Sequence, residues 1–243
     1  MISSLLTAAA FLTRLPVARQ LAAGAKEVGR AAGWFPMVGG LLGAAYAGGL
    51  WLLSRAFPPL VTAVLLTVLD ALLTGALHWD GLADTADGFG GGATRGDVLR
   101  IMRDHAIGSY GAVALTLAVA LKAAAISAMI GGALAYQAVA VMPVLGRWAA
   151  VQLSARVPYA RPHADDAPSR FVGKREVILA GVVSIAIAVV VGRWRGVAAL
   201  GLVALVTEGW GWYCRRRIGG ITGDTLGAAV EISECLVLLL FLA

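Results

Sequence analysis

Charge is scarce in this chain: Asp, Glu, Lys and Arg make up 14% of its 243 residues, against about 25% in an ordinary soluble domain. With 59% hydrophobic residues, no stretch is polar enough to surface a separate soluble domain. Cysteine is nearly absent, and Cys214 and Cys235 lie far apart without metal-ligand spacing, which excludes a disulfide framework and a zinc site. No basic residue precedes the first apolar run, Ile2 to Leu12, so that run does not read as a signal peptide. Tandem repeats and low-complexity linkers are also missing. The formal charge of +6 reflects topology and lipid contact in so apolar a chain, and nucleic-acid binding does not follow from it.

What is present in abundance is long apolar sequence. Seven runs, 31–53, 59–79, 110–130, 134–153, 176–192, 196–213 and 225–242, are long enough to cross a bilayer as helices, the one open structure that satisfies every backbone group internally. The run before Arg14 is too short to span and reads as an interfacial or re-entrant helix. The spacing therefore predicts an all-α polytopic membrane bundle of about seven transmembrane helices in a single integral-membrane domain, 1–243. Lys and Arg concentrate in alternate connections: four in the N-terminal region, which includes Pro16 and Arg19, three in 80–109, five in 154–175 and three in 214–224. Positive residues mark the cytoplasmic side, so N-in and C-out is expected, with these loops facing the cytosol. Glycine-rich spans permit close helix contacts, within the chain or in a homo-oligomer.

Three clusters can carry chemistry. In the first, Asp80, Asp84 and Asp87 follow the second apolar run at spacings of four and three, on one helical face, and no Lys or Arg occurs from Ala76 to Gly91. Read as the C-terminal continuation of a span, such a stripe is disfavoured by the helix dipole unless a cation neutralises it. Oxygen ligands of this kind suit Mg²⁺, which is commonly held by one or two carboxylates and substrate phosphates. Gly88 and its neighbouring glycines allow close packing or approach to a phosphate. The second cluster, Arg100, Arg103, Asp104 and His105, suits a pyrophosphate-handling loop, with His105 a candidate base and a positive-inside flank the bland alternative. Thr94 with Asp97 is a helix-capping pattern just before it. The third cluster, Gly219 to Asp224 with Thr222, leads into a span holding Glu231 and Glu234. Asp224 has a plain reading as the N-cap of that helix. Carboxylates inside a span cost at least about 2.5–3.5 kcal/mol on insertion scales, so Glu231 and Glu234 are expected to be functional or paired. On a helical wheel they share an arc with Asp224 that could face the stripe at 80–87. Asp70, Lys122, Arg147 and Glu208 are the other intramembrane charges, with mutual pairing, for example of Asp70 with Lys122, the plain explanation.

Phe11 to Pro16, Gly33 to Pro36 with Gly39-Gly40, Leu77 to Gly88, Ile101 to Gly108, and Gly219 to Ala228 together resemble the cobalamin synthase family, the adenosylcobinamide-GDP ribazoletransferases or cobalamin-5′-phosphate synthases, from near the N-terminus to the last helix. That resemblance implies a Mg²⁺-dependent enzyme of the prokaryotic cytoplasmic membrane. It would join adenosylcobinamide-GDP to α-ribazole or its 5′-phosphate and release GMP. Under it, Asp80, Asp84 and Asp87 hold Mg²⁺, while Arg103, with Arg14 or Arg147, neutralises phosphate oxygens. Gly88 and Thr222 join the substrate-binding set, and Asp104, Asp224 or Glu231 completes the metal shell or accepts the hydroxyl proton. Where the family often continues Tyr159-Ala160-Arg161 with Gly-Leu-Gly, this chain has Pro162-His163-Ala164-Asp165-Asp166, and that loop is assigned no substrate role. Two rivals are a CDP-alcohol phosphotransferase-like enzyme, whose Ala-Arg pair after Asp-Gly is missing here, where Ala83 is followed by Asp84, and a cation-coupled transporter, which would not explain the aspartates gathered on one face.

Overall fold

The computed structural model describes residues 2–15, 23–161 and 167–243, and its described residues are helical apart from short connections and one isolated β-bridge between Tyr159 and Ile221. Pro16 and Arg19 of the basic N-terminal loop, and 162–166, lie outside the described residues. The helices are α1 (Ile2–Leu12), α2 (Ala25–Ala31), α3 (Phe35–Leu53), α4 (Pro59–Thr74), α5 (Leu77–Gly91), α6 (Arg95–Ile101), α7 (Ser109–Met129), α8 (Ala133–Arg156), α9 (Lys174–Val190), α10 (Arg193–Ile218) and α11 (Gly223–Leu242).

Among the described residues, five helical stretches are long and apolar enough to cross a membrane: Ala25–Leu53, α7, α8, α10 and α11. The bent pair of α4 and α5 makes a sixth if it is counted as one span. The expected seventh, 176–192, is the 17-residue α9, which falls short of these spans, so the described residues supply five or six spans rather than seven. The expected span 59–79 is not one helix. It breaks at Gly75 and Ala76, and α5 leaves α4 at 94°. Both residues adopt left-handed backbone, φ 66° and 57°, which closes α4 and starts a new helix. For Ala76 this conformation costs on the order of 1 kcal/mol or more, so the surrounding packing enforces it. Arg14 helps: its N–H donates to the Leu73 carbonyl at 2.7 Å, and its side chain covers Gly75 where a Cβ would stand.

Leu42, Tyr46 and Leu50 of α3, Val139 and Leu145 of α8, and Leu238 and Phe241 of α11 share one apolar core. Outward-facing Leu72, Leu117, Val190 and Leu205 are 68%, 64%, 79% and 72% exposed, an apolar exterior suited to lipid. The arginine-rich loops gather at one end of the bundle. Arg217 donates to the carbonyls of Phe89, Gly92 and Ala93, and Arg95 to that of Ala160 at 2.7 Å. The Ile221 N–H donates to Pro158 at 2.9 Å. Guanidinium groups thus satisfy carbonyls at the ends of helices and turns, and they hold the 80–109, 154–161 and 214–224 segments together.

Candidate functional site

The break at Gly75-Ala76 changes the setting of the three aspartates. They sit on α5 rather than at the end of a span, with Asp80 in the first turn, where the helix dipole favours an anion. Helix α5 crosses α11 closely at Gly81, whose Cβ position lies 2.8 Å from the Asp224 carbonyl oxygen. Any side chain at 81 would push the two helices apart, so this glycine brings Asp80 to Asp224.

Asp80, exposed, and Asp224 both line a cavity of about 190 Å³ between α1, α3, α5, α8 and α11. Asp84 is half-buried beside them, outside the five continuous spans. Burial, then the carboxylates of Asp80, Asp224 and Asp87, push its carboxyl up to about 6, with Arg161 opposing. The Arg161 guanidinium donates to Asp224 Oδ2 at 2.9 Å, and the Thr222 hydroxyl donates to the same oxygen at 3.2 Å. Thr222, not Asp224, is the N-cap of α11, in a reciprocal box with Thr225. Asp224 is thereby released from capping, and its Oδ1 accepts no hydrogen bond from the described residues.

Asp87 faces the other way. Its two oxygens accept the N–H groups of Gly108 at 2.7 Å and Gly111 at 2.8 Å, at the N-terminus of α7. A carboxylate from α5 thus satisfies α7's orphan donors. Gly88 is buried against Met102 and the Val98 carbonyl, where it lets α6 pack on α5, and it does not line the cavity. The capping box of Thr94 and Asp97 forms as expected.

Glu231 and Glu234 do not face the aspartates. They lie deeper, with Asp70, around Lys122. The Lys122 ammonium is 2.6 Å from each glutamate and 3.7 Å from Asp70, so the expected Asp70–Lys122 pairing is present. Arg147, 1% exposed, pairs with Glu234, while Tyr46 and the Trp79 indole donate to Asp70 at 2.6 and 3.0 Å. The carboxylates of Asp70, Glu231 and Glu234 are close enough to hold a metal ion. Lys122 already occupies that centre as its cation. Arg147 links the two layers, for it also lines the cavity and its Nη2 lies 3.4 Å from His78 Nδ1.

Arg14 is exposed and lies against the α4–α5 break. Arg103, Asp104 and His105 are exposed on the loop between α6 and α7. There Asp104 accepts the Ala106 N–H at 3.1 Å, and among the described residues no hydrogen bond or ion pair joins Arg103 or His105 to the acidic group. Glu208 pairs with Arg156. His78, Arg161 and Ser154 carry no individual role that the sequence alone points to. Their only signal was position: His78 stands two residues before Asp80, and Arg161 follows a basic span end.

An all-helical membrane protein with a carboxylate-rimmed polar site at the arginine-bound end of its bundle is the class that this architecture defines. Within that class the chain belongs to the cobalamin-5-phosphate synthase family, whose model matches residues 4–242. It is similar to the adenosylcobinamide-GDP ribazoletransferase of Ralstonia nicotianae, 40% identical over 99% of this chain and 95% of that protein. It is likewise similar to those of Syntrophobacter fumaroxidans, 40% identical over 96% and 95%, and Klebsiella pneumoniae strain 342, 38% identical over the full length of both. No solved structure matches the chain.

Proposed function

We propose that the chain is a membrane-embedded adenosylcobinamide-GDP ribazoletransferase acting late in cobalamin biosynthesis, with 1–243 as a single catalytic domain. The observation that carries the site assignment is the pairing of Asp80 with Asp224 across the α5–α11 crossing, with Asp84 beside them. In this reading a hydroxyl of α-ribazole or its 5′-phosphate attacks the cobinamide-side phosphorus of adenosylcobinamide-GDP. One phosphorus–oxygen bond forms and the pyrophosphate bond breaks. GMP leaves with the bonding pair, and the hydroxyl proton passes to a base.

Three carboxylates with one partial counter-charge, Arg161, fit a hard divalent cation. Asp80, Asp84 and Asp224 would hold Mg²⁺, which when bound supplies positive charge to pyrophosphate oxygens. Asp224 takes the place expected of Asp87, whose oxygens accept backbone N–H groups. The protein's own work is positioning and charge stabilisation, the larger part of phosphoryl-transfer catalysis. Arg161 orients the Asp224 carboxylate, Thr222 fixes its rotamer, and the unengaged Oδ1 faces ligand. Arg103, Asp104 and His105 stay in reach of a large substrate only through their loop. Glu231, held by Lys122 in the buried layer, is left out of the proton transfer. The gathering of the arginine-rich loops at one end favours the cytoplasmic membrane, with N-in, C-out and the site facing the cytosol. The test is GMP release by purified protein given adenosylcobinamide-GDP, α-ribazole 5′-phosphate and Mg²⁺; turnover of a lipid nucleotide without a corrinoid product would overturn the assignment.

A further inference from the structure

The cavity behind Asp80 and Asp224 has a character that the acidic rim does not explain. Its walls are Phe11, Phe35, Leu77, Ala150, Leu226 and Val230. Phe11 and Phe35 stack with ring centroids 5.8 Å apart and planes 16° from parallel. Behind the carboxylate rim, the polar side chains reaching these walls are Ser154, Arg147 and His78. Ser154 donates to its own helix at Ala150. Arg147 directs Nη1 to Glu234 and Nη2 toward His78, and its Nε, which has no hydrogen-bond partner among the described residues, is buried out of contact with the open space of the cavity. A guanidinium can only donate, so the His78 Nδ1 facing it must accept, and the ring proton sits on Nε2. No hydrogen bond from the described residues engages that Nε2–H, and His78 lines the cavity. The buried Lys122–Glu234–Arg147 chain therefore fixes His78 as one neutral donor in an apolar slot.

We propose that this slot is the subsite for the base of the acceptor nucleoside, and that His78 Nε2–H donates to the base's single free ring nitrogen. This rests on the ribazoletransferase reading above. The occupant follows from size and polarity. A cavity of roughly 150 Å³ takes a benzene ring, so about 190 Å³ suits a small fused aromatic and excludes a corrin macrocycle. Guanine carries several donors and acceptors along its edge, and these walls would leave most of them unpaired. A dimethylbenzimidazole has apolar edges and one unsubstituted nitrogen, which one neutral donor satisfies. With the base seated there, the ribose lies at the mouth, next to Asp80 and Asp224, where its hydroxyl must be.

The test compares two α-ribosides, one of 5,6-dimethylbenzimidazole and one of dimethylindole, in which C–H replaces the free nitrogen. Equilibrium binding to the full chain in detergent is measured alongside GMP release. The wild-type protein should bind the indole compound about tenfold more weakly, the loss expected for one unmade hydrogen bond in a buried site. His78→Leu should bind both alike, at the weaker level, with the KM for adenosylcobinamide-GDP unchanged; His78→Gln, which keeps an N–H donor, should restore part of the preference. Equal binding of both ribosides by the wild type would overturn the proposal, even if GMP is released, and does not depend on any variant folding. Preference retained in His78→Leu would also overturn it, as would detergent or lipid competing away all riboside binding. Selective binding without GMP release would leave the subsite standing and remove the transferase reading instead.

Discussion

Removing Lys122 should expose the cost of a charge cluster inside the bundle, and the structure says which residue suffers. In Lys122→Met, Glu234 keeps Arg147, and Asp70 keeps Tyr46 and the Trp79 indole. Glu231 keeps nothing among the described residues, since its ion pair at 2.6 Å is with Lys122. An uncompensated buried carboxylate of this kind costs about 3–5 kcal/mol. The second substitution follows directly: Glu231→Gln in the Lys122→Met background removes the orphaned charge and should recover most of that loss. The assay is reversible unfolding in mixed detergent, followed by tryptophan fluorescence, for wild type, both single variants and the pair. A Lys122→Met loss below about 1 kcal/mol, or no recovery in the double variant, would refute the assignment of Lys122 as the cation of this cluster. In an Asp80→Asn, Asp84→Asn, Asp224→Asn background, which removes the proposed Mg²⁺ site, added chelator should leave the unfolding curve unmoved if Lys122, rather than a metal, neutralises Asp70, Glu231 and Glu234.

Other outcomes follow from the same geometry. Asp87→Ala should lower stability by about 1–2 kcal/mol through the lost cap on α7, seen as faster hydrogen exchange at Gly108 and Gly111. Gly81→Val should separate α5 from α11 at the Asp224 carbonyl and abolish turnover, while Gly91→Ala, whose nearest neighbour is a flexible Ile101 side chain, should be tolerated. Because the Asp84 carboxyl lies near 6, above its ordinary value, protons compete with Mg²⁺ as pH falls. Mg²⁺ affinity measured calorimetrically should be level above about pH 7 and drop about tenfold per unit below 6 for one displaced proton.

Helix content and the spans at α3, α7, α8, α10 and α11 were legible in the sequence, because lipid forces long apolar runs into helices and the ends of α7, α8 and α11 are marked by glycine or arginine. The break after Thr74 was not legible. Gly75-Ala76 is as apolar as its surroundings, and only the left-handed backbone stops α4 there. The same break moved Asp80 from a disfavoured helix end to a favoured helix start, which removed the dipole argument for a metal and left the proximity of Asp84 and Asp224 in its place. Glu231 was misplaced for a simple reason. A helical wheel gives direction without depth, and seven residues beyond Asp224 is roughly 10 Å further along the axis. His78 and Arg161 acquire roles only through partners distant in sequence, which no local pattern displays.

Asp80, Asp84 and Asp224 are expected to act as one site. GMP release at saturating adenosylcobinamide-GDP and α-ribazole 5′-phosphate, measured across a Mg²⁺ titration for the wild type and for Asp80→Asn, Asp84→Asn and Asp224→Asn of verified fold, decides it. The expected result is Mg²⁺-dependent release that falls at least roughly 100-fold in each variant. Near-normal release from Asp224→Asn, or from Asp80→Asn and Asp84→Asn together, would contradict it.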